Sequence, residues 1–89
     1  MRTVYKYELE IADEQFVVMP TGAELLTVQV QAGTGMVCLW ARVDTDAPVV
    51  RRRIWMRGTG YPDAYDVYVA TFQYHFGLVF HVFDGGEQA

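Results

Sequence analysis

Cysteine is nearly missing from this chain. Cys38 stands alone among 89 residues, so no intrachain disulfide can form and a disulfide-stapled secreted scaffold is excluded. Serine is absent altogether, which removes Ser-His-Asp chemistry. Histidine is scarce: His75 and His81 have no Cys, Asp or Glu at metal-ligand spacing, so neither a metal nor a cofactor is expected. A Cys38 nucleophile paired with His75 or His81 would also need an orienting group and an oxyanion site. Nothing signals either, and the expectation is a protein that is not an enzyme. Long apolar runs are lacking too, since none approaches the roughly 18–20 residues of a membrane-spanning helix. The N-terminus, Met1-Arg2-Thr3-Val4-Tyr5-Lys6, alternates instead of leading into an apolar signal core. A small soluble intracellular domain is the expectation, with no membrane partner.

What the chain does contain is apolar and aromatic: 52% of residues are hydrophobic and 15% are Phe, Trp or Tyr. That is too apolar for a disordered chain. The length allows one domain, and a domain of this size buries only about 60–65% of its unfolded surface. Period-2 alternation recurs and helical spacing is hard to find. Tyr5, Tyr7, Leu9 and Ile11 share one side of an extended segment, with Val4, Lys6, Glu8 and Glu10 on the other. Phe16 to Met19 is a short strand closed by Pro20-Thr21-Gly22. Leu26 to Ala32 and Met36 to Val43 flank Gly33-Thr34-Gly35 and predict a β-hairpin. Val49 to Arg57 follows, with Val50, Ile54 and Met56 on one side. Arg52 falls on that apolar side, a fault that a bulge or an edge position would resolve. Gly58 to Ala64 is irregular. Asp66 to Tyr74 and Leu78 to Phe83 predict a last pair turning at His75-Phe76-Gly77. The prediction is an all-β fold, a small antiparallel β-sandwich or partly open barrel of six or seven strands. Residues 1–84 form the single domain and residues 85–89 a flexible C-terminal tail.

Val37 to Ala41 and Val79 to Phe83 are apolar on both faces. Either these strands are central in a two-layer fold, or another subunit covers one face. The apolar excess favours a homo-oligomer, most simply a dimer.

Cations are few and clustered. Five of the seven basic residues, Arg42, Arg51, Arg52, Arg53 and Arg57, lie between positions 42 and 57. With Asp44 and Asp46 that window carries +3, and the chain total of −4 leaves −7 for the rest. On a strand, Arg51, Arg53, Trp55 and Arg57 point the same way. Trp40 and Arg42, two apart on the preceding strand, are placed to lie alongside. Guanidinium groups beside indoles suit an anion, with a ring as stacking face. The competing reading is a solvated face whose arginines pair with Asp44, Asp46 or Asp66. The acidic total argues against general DNA binding; a small anion, a nucleotide or an acidic protein fits a local patch better. Gly58-Thr59-Gly60-Tyr61 lacks the lysine and following helix of a phosphate loop. A sharp turn is the expectation there, with anion binding at bare amides as the alternative.

Several stretches together resemble a known family. They are Tyr5-Lys6-Tyr7 with Leu9 and Ile11, Pro20-Thr21-Gly22-Ala23-Glu24 before Val28-Gln29-Val30-Gln31, Leu39-Trp40-Ala41, Gly58-Thr59-Gly60 before Tyr61-Pro62, and Leu78-Val79-Phe80-His81-Val82-Phe83. In this order they resemble small proteins of tailed bacteriophages and prophages that carry no assigned activity. Where that family often has His before the proline, this chain has Tyr61. The resemblance implies a phage accessory protein in the cytoplasm of the infected bacterial host. The function expected is a binding module that captures a host protein, in counter-defence or takeover. The alternatives are a sponge for a phosphate-bearing or nucleotide signal, and a small virion structural protein.

Overall fold

Alternating β-branched and aromatic residues build seven strands, and glycine turns separate most of them. The computed structural model describes residues 1–63 and 66–88, so Ala64 of the expected irregular stretch and Ala89 of the expected tail lie outside the described residues. The strands are β1 (Arg2–Glu8), β2 (Glu14–Pro20), β3 (Glu24–Val30), β4 (Val37–Asp44), β5 (Val49–Gly58), β6 (Val67–Gln73) and β7 (Val79–Gln88). A single 3-10 turn, His75–Gly77, joins β6 to β7. Two antiparallel sheets result, of order β1-β4-β3 and β2-β5-β7-β6. They are not closed into a barrel; β3 and β6 approach along their edges without a ladder. The sandwich is therefore the member of the expected pair that forms.

Both sheets turn alternate residues onto one core. Val37, Leu39, Ala41 and Val43 of β4 are buried, facing Ile54 and Met56 of β5, Val82 of β7 and Phe72 of β6 in the same cluster. Each such side chain contributes about 1.5–3 kcal/mol on burial. The two strands with apolar residues on both faces, β4 and β7, are interior strands of their sheets.

The fault at Arg52 has a specific resolution. β5 is an interior strand, and Arg52 stays on the core side, only 11% exposed. It forks onto Asp84 of β7, Nε to Oδ1 at 2.9 Å and Nη2 to Oδ2 at 2.6 Å, while Nη1 donates to the Ala23 carbonyl at 3.0 Å. A bidentate fork of this kind is among the stronger polar contacts available. It depends on a bulge in β7, where Arg53 pairs with Gly86 and Ile54 with Asp84, leaving Gly85 as the extra residue. Burial works against the charged form of Asp84. The hydrogen bonds from Arg52 and the Gly86 N–H, with the charge of Arg52, outweigh it and hold the carboxyl below its ordinary value.

Where a tail was expected, β7 continues paired to β5 through Gln88. Glu87 accepts hydrogen bonds from the Gly22 N–H at 2.7 Å and the Thr21 hydroxyl at 3.1 Å. It thereby clips the β2–β3 turn to the end of the chain, and these bonds, the Gly22 N–H first, lower its pKa.

Candidate functional site

The period-2 expectation for β5 holds. Ile54 and Met56 go to the core, so Arg51, Arg53, Trp55 and Arg57 project from the outer face of the four-stranded sheet. Phe16 of β2 lies opposite Arg53 and completes an alternating row of cations and rings. The Arg51 guanidinium carbon sits 4.2 Å from the Phe16 centroid, and that of Arg53 lies 5.4 Å from Phe16 and 5.2 Å from Trp55. The Arg57 carbon lies 5.0 Å from Trp55. Each contact is worth about 0.5–1 kcal/mol at an exposed site, enough to hold the guanidinium planes in order along the strand. The row continues sideways: Trp55 pairs with Phe83 of β7, whose ring meets Tyr68 of β6 edge-on at 6.0 Å.

The carboxylates expected to neutralise these arginines do not do so. Among the described residues, Asp44 and Asp46 pair with the N-terminal amine, and no arginine pairs with them or with Asp66. The N–H of Asp46, above all, lowers the pKa of Asp44. The partners used instead are Glu14 for Arg53, at 3.0 Å, and Glu24 for Arg42, at 3.1 Å. Arg51 has no carboxylate partner among the described residues. Arg57 donates to the backbone carbonyls of Asp13 and Met56 at 2.8 and 3.1 Å, anchoring the start of β2.

Two expected members lie elsewhere. β4 pairs with β1 and β3, not with β5, so Trp40 and Arg42 project from the other sheet with the core between them and the β5 row. The two tryptophans share no face. Chain order suggested neighbours, whereas β4 is flanked by β1 and β3, and β5 by β2 and β7. Conversely, Phe16, Phe83 and Tyr68 belong to the face and were not singled out from sequence. Their signal is an apolar residue on both sides of one strand: Val17 and Met19 of β2 are buried, while Phe16 and Val18 remain exposed.

The face is incompletely satisfied. Among the described residues, the buried side-chain polar atoms without a hydrogen bond are Arg53 Nε and Trp55 Nε1. Arg53 Nε is near Glu14 as an ion pair, but the N–H is not aimed at it. Such groups are uncommon, and each costs about 1–3 kcal/mol. Both sit over Gly85, where a Cβ would meet Arg53 Cγ at 2.6 Å and Trp55 Nε1 at 2.8 Å. The bulge glycine is what lets the two side chains lie this close to the backbone.

The loop Gly58-Thr59-Gly60-Tyr61 closes the end of the row. Gly60 has φ +91°, and the Tyr61 ring packs over Gly58. The Thr59 and Tyr61 amides are committed to the Val79 and Gly58 carbonyls at 3.3 and 3.1 Å, so these two are not bare anion donors. His81 bridges the loop to the sheet: its ring nitrogens lie 2.8 Å from the Thr59 hydroxyl and 3.0 Å from that of Thr71. Cys38 is buried in the other sheet, so no Cys-His pair is assembled with His81. Among the described residues no three His, Cys, Asp or Glu side chains group for a metal, and no helix is long and apolar enough to cross a membrane. Beside the loop opens a cleft of about 940 Å³, walled mainly by Tyr61, Leu78, Val79 and Phe80, with Asp13 and Arg57 at its polar side.

Comparison with known proteins adds the family. No curated protein and no solved structure matches the chain. Over residues 1–89 the chain belongs to the family described as a domain of unknown function, DUF7352.

Proposed function

We propose that this protein is a non-enzymatic binding module that captures an acidic partner protein on the outer face of β5. The observation that carries it is the outward-facing row Arg51, Phe16, Arg53, Trp55 and Arg57, with Arg51 and Phe16 exposed and the other three half-buried, whose cations are ordered by rings and in which Arg51 meets no carboxylate among the described residues. Arg and Trp dominate binding energetics because they combine large area with directed donors. The span supports a protein over a single small anion. Six residue steps along the strand lead from Arg51 to Arg57, roughly 20 Å at about 3.3 Å per step. One phosphate group reaches two such side chains at most, whereas carboxylates on a protein surface can be spaced along the row. The resemblance to phage proteins sets the context: an accessory protein in the bacterial cytoplasm whose partner is a host protein.

The test is affinity capture from bacterial host extract with the wild type and with Arg51→Glu combined with Arg53→Gln. Neither side chain is fully buried, so the melting temperature is expected to stay within a few degrees. One dominant acidic partner is expected on the wild type, lost from the variant and weakened as salt rises, since exposed charges are screened over about 8 Å at physiological ionic strength. Undiminished capture by the folded variant defeats the proposal. So does recovery of a small molecule in place of a protein, or of the chain only within purified virions.

A further inference from the structure

The β6–β7 turn carries an apolar side chain in a costly place. Phe76 has φ +61° and ψ +30°, the left-handed region, and its side chain is 100% exposed. A bulky residue there is an outlier, because its Cβ crowds the backbone. Glycine would fit better, and Gly77 next to it already has φ +75°. Within one chain the ring gains an edge-on approach to the neighbouring His75 ring at 6.4 Å, a small return for that strain. Beside Phe76 lies the cleft of about 940 Å³, of which Leu78 forms one wall and Tyr61 another; these two are themselves 50% and 73% exposed. An apolar knob and an apolar hole thus sit side by side on one end of the sandwich.

Adjacent knob and hole are what a twofold contact requires, since each copy then gives and receives the same element. The charges agree. The cleft wall carries one acid and one base, Asp13 and Arg57. The Asp13 carboxylate has no partner among the described residues, and Arg57 bonds only carbonyls. A twofold arrangement allows each to meet its opposite on the second copy. The area also agrees. A fully exposed phenylalanine and a mostly exposed tyrosine from each copy remove roughly 600–700 Å² from water. The cleft walls and Leu78 bring the total toward the roughly 1,200 Å² at the low end of specific interfaces.

We propose that a second copy of this chain docks here, forming a homodimer in which Phe76 of each copy enters the cleft of the other. This contact takes Arg57 from the end of the β5 row and leaves Arg51, Phe16, Arg53 and Trp55 to the acidic partner. Leu39 and Phe80, whose strands suggested a dimer from sequence, play different parts: Leu39 is core, and Phe80 is a wall of the cleft.

The experiment is sedimentation velocity over about a hundredfold range of concentration, with the wild type, Phe76→Asp and Phe76→Gly. The wild type is expected to be dimeric at the upper end and to dissociate on dilution. Both variants are expected to be monomeric where the wild type is dimeric, with dimer affinity lowered at least about thirtyfold for an anchor aromatic. Phe76→Gly guards against misfolding. It relieves the left-handed strain, so the monomeric variant should melt no lower than the wild type under conditions where both are monomers. A wild type that stays monomeric throughout overturns the proposal, as does a Phe76→Gly protein that dimerises like the wild type. Unchanged oligomeric state with loss of partner capture in Phe76→Gly assigns the tip to the partner and overturns it as well. Arg51→Glu with Arg53→Gln must leave the dimer intact, which keeps this result distinct from the capture test.

Discussion

Asp84→Ala is expected to lower the melting temperature by roughly 12–24 °C. The change strands Arg52 on the core side of an interior strand, where it is 11% exposed and has lost both arms of its fork. Removing one partner of a buried pair costs about 3–5 kcal/mol, and the lower value suits a pair that keeps slight water contact and a second, looser anion in Glu87 at 3.8 Å. A domain of this length has roughly 4–13 kcal/mol in total, and each kcal/mol moves the midpoint by about 4–8 °C. The paired change Arg52→Met with Asp84→Leu should recover most of the loss, because apolar packing replaces two charges that no longer need each other. The pH dependence has a definite sign. Asp84 is held below its ordinary value in the fold. Its contribution is therefore complete above about pH 4, the unfolded value, and is lost as the pH falls through the folded one. Acid titration of melting temperatures checks both points. Asp84→Ala should show the shallower acid limb, and a steep limb in that variant would place the sensitivity elsewhere.

Gly85→Ala is the second change with a large expected effect, and it joins the fold to the candidate site. The new Cβ would sit 2.6 Å from Arg53 Cγ, 2.8 Å from Arg53 Cδ and 2.8 Å from Trp55 Nε1. These are the middle of a stem and the edge of a rigid ring, so neither yields by a small rotation. Overpacking of this kind costs about 1–3 kcal/mol. More telling is the displacement. Arg53 and Trp55 must lift from the bulge together, and the stacking that orders Phe16 and Arg57 on either side goes with them. Capture is expected to weaken at least about tenfold, as for loss of an interface anchor, and the near-ultraviolet tryptophan dichroism should change. An unchanged dichroism with full capture would show that the close approach does not order the face.

These two residues also mark where sequence and structure part. Period-2 alternation made the strands legible, and with them the common direction of Arg51, Arg53, Trp55 and Arg57. That information is local: two residues apart on one strand means one face. Arg52 was legible only as a fault. Its partner lies 32 residues on, in a segment whose composition, Asp84-Gly85-Gly86-Glu87, reads as a frayed end. Glycines suggested freedom there, whereas one admits the Arg53 and Trp55 side chains and the other supplies φ +84° behind the bulge. The placement of Trp40 and Arg42 failed for a related reason. Which strands pair is a long-range choice that alternation does not report, and β4 has both edges taken by β1 and β3, leaving none for β5. Phe76 carried no sequence signal at all, because exposure and a left-handed φ appear only once the turn is built.

The two tryptophans on separate sheets allow a direct test of the β5 face. Trp40→Phe leaves Trp55 as the single indole, and Trp55→Phe leaves Trp40. Acrylamide quenching of each variant is measured free and with saturating captured partner. The outer face of β5 as the contact predicts that the partner shields Trp55 severalfold and leaves Trp40 as accessible as before. Shielding of Trp40 with no change at Trp55 would put the contact on the other sheet and contradict the account.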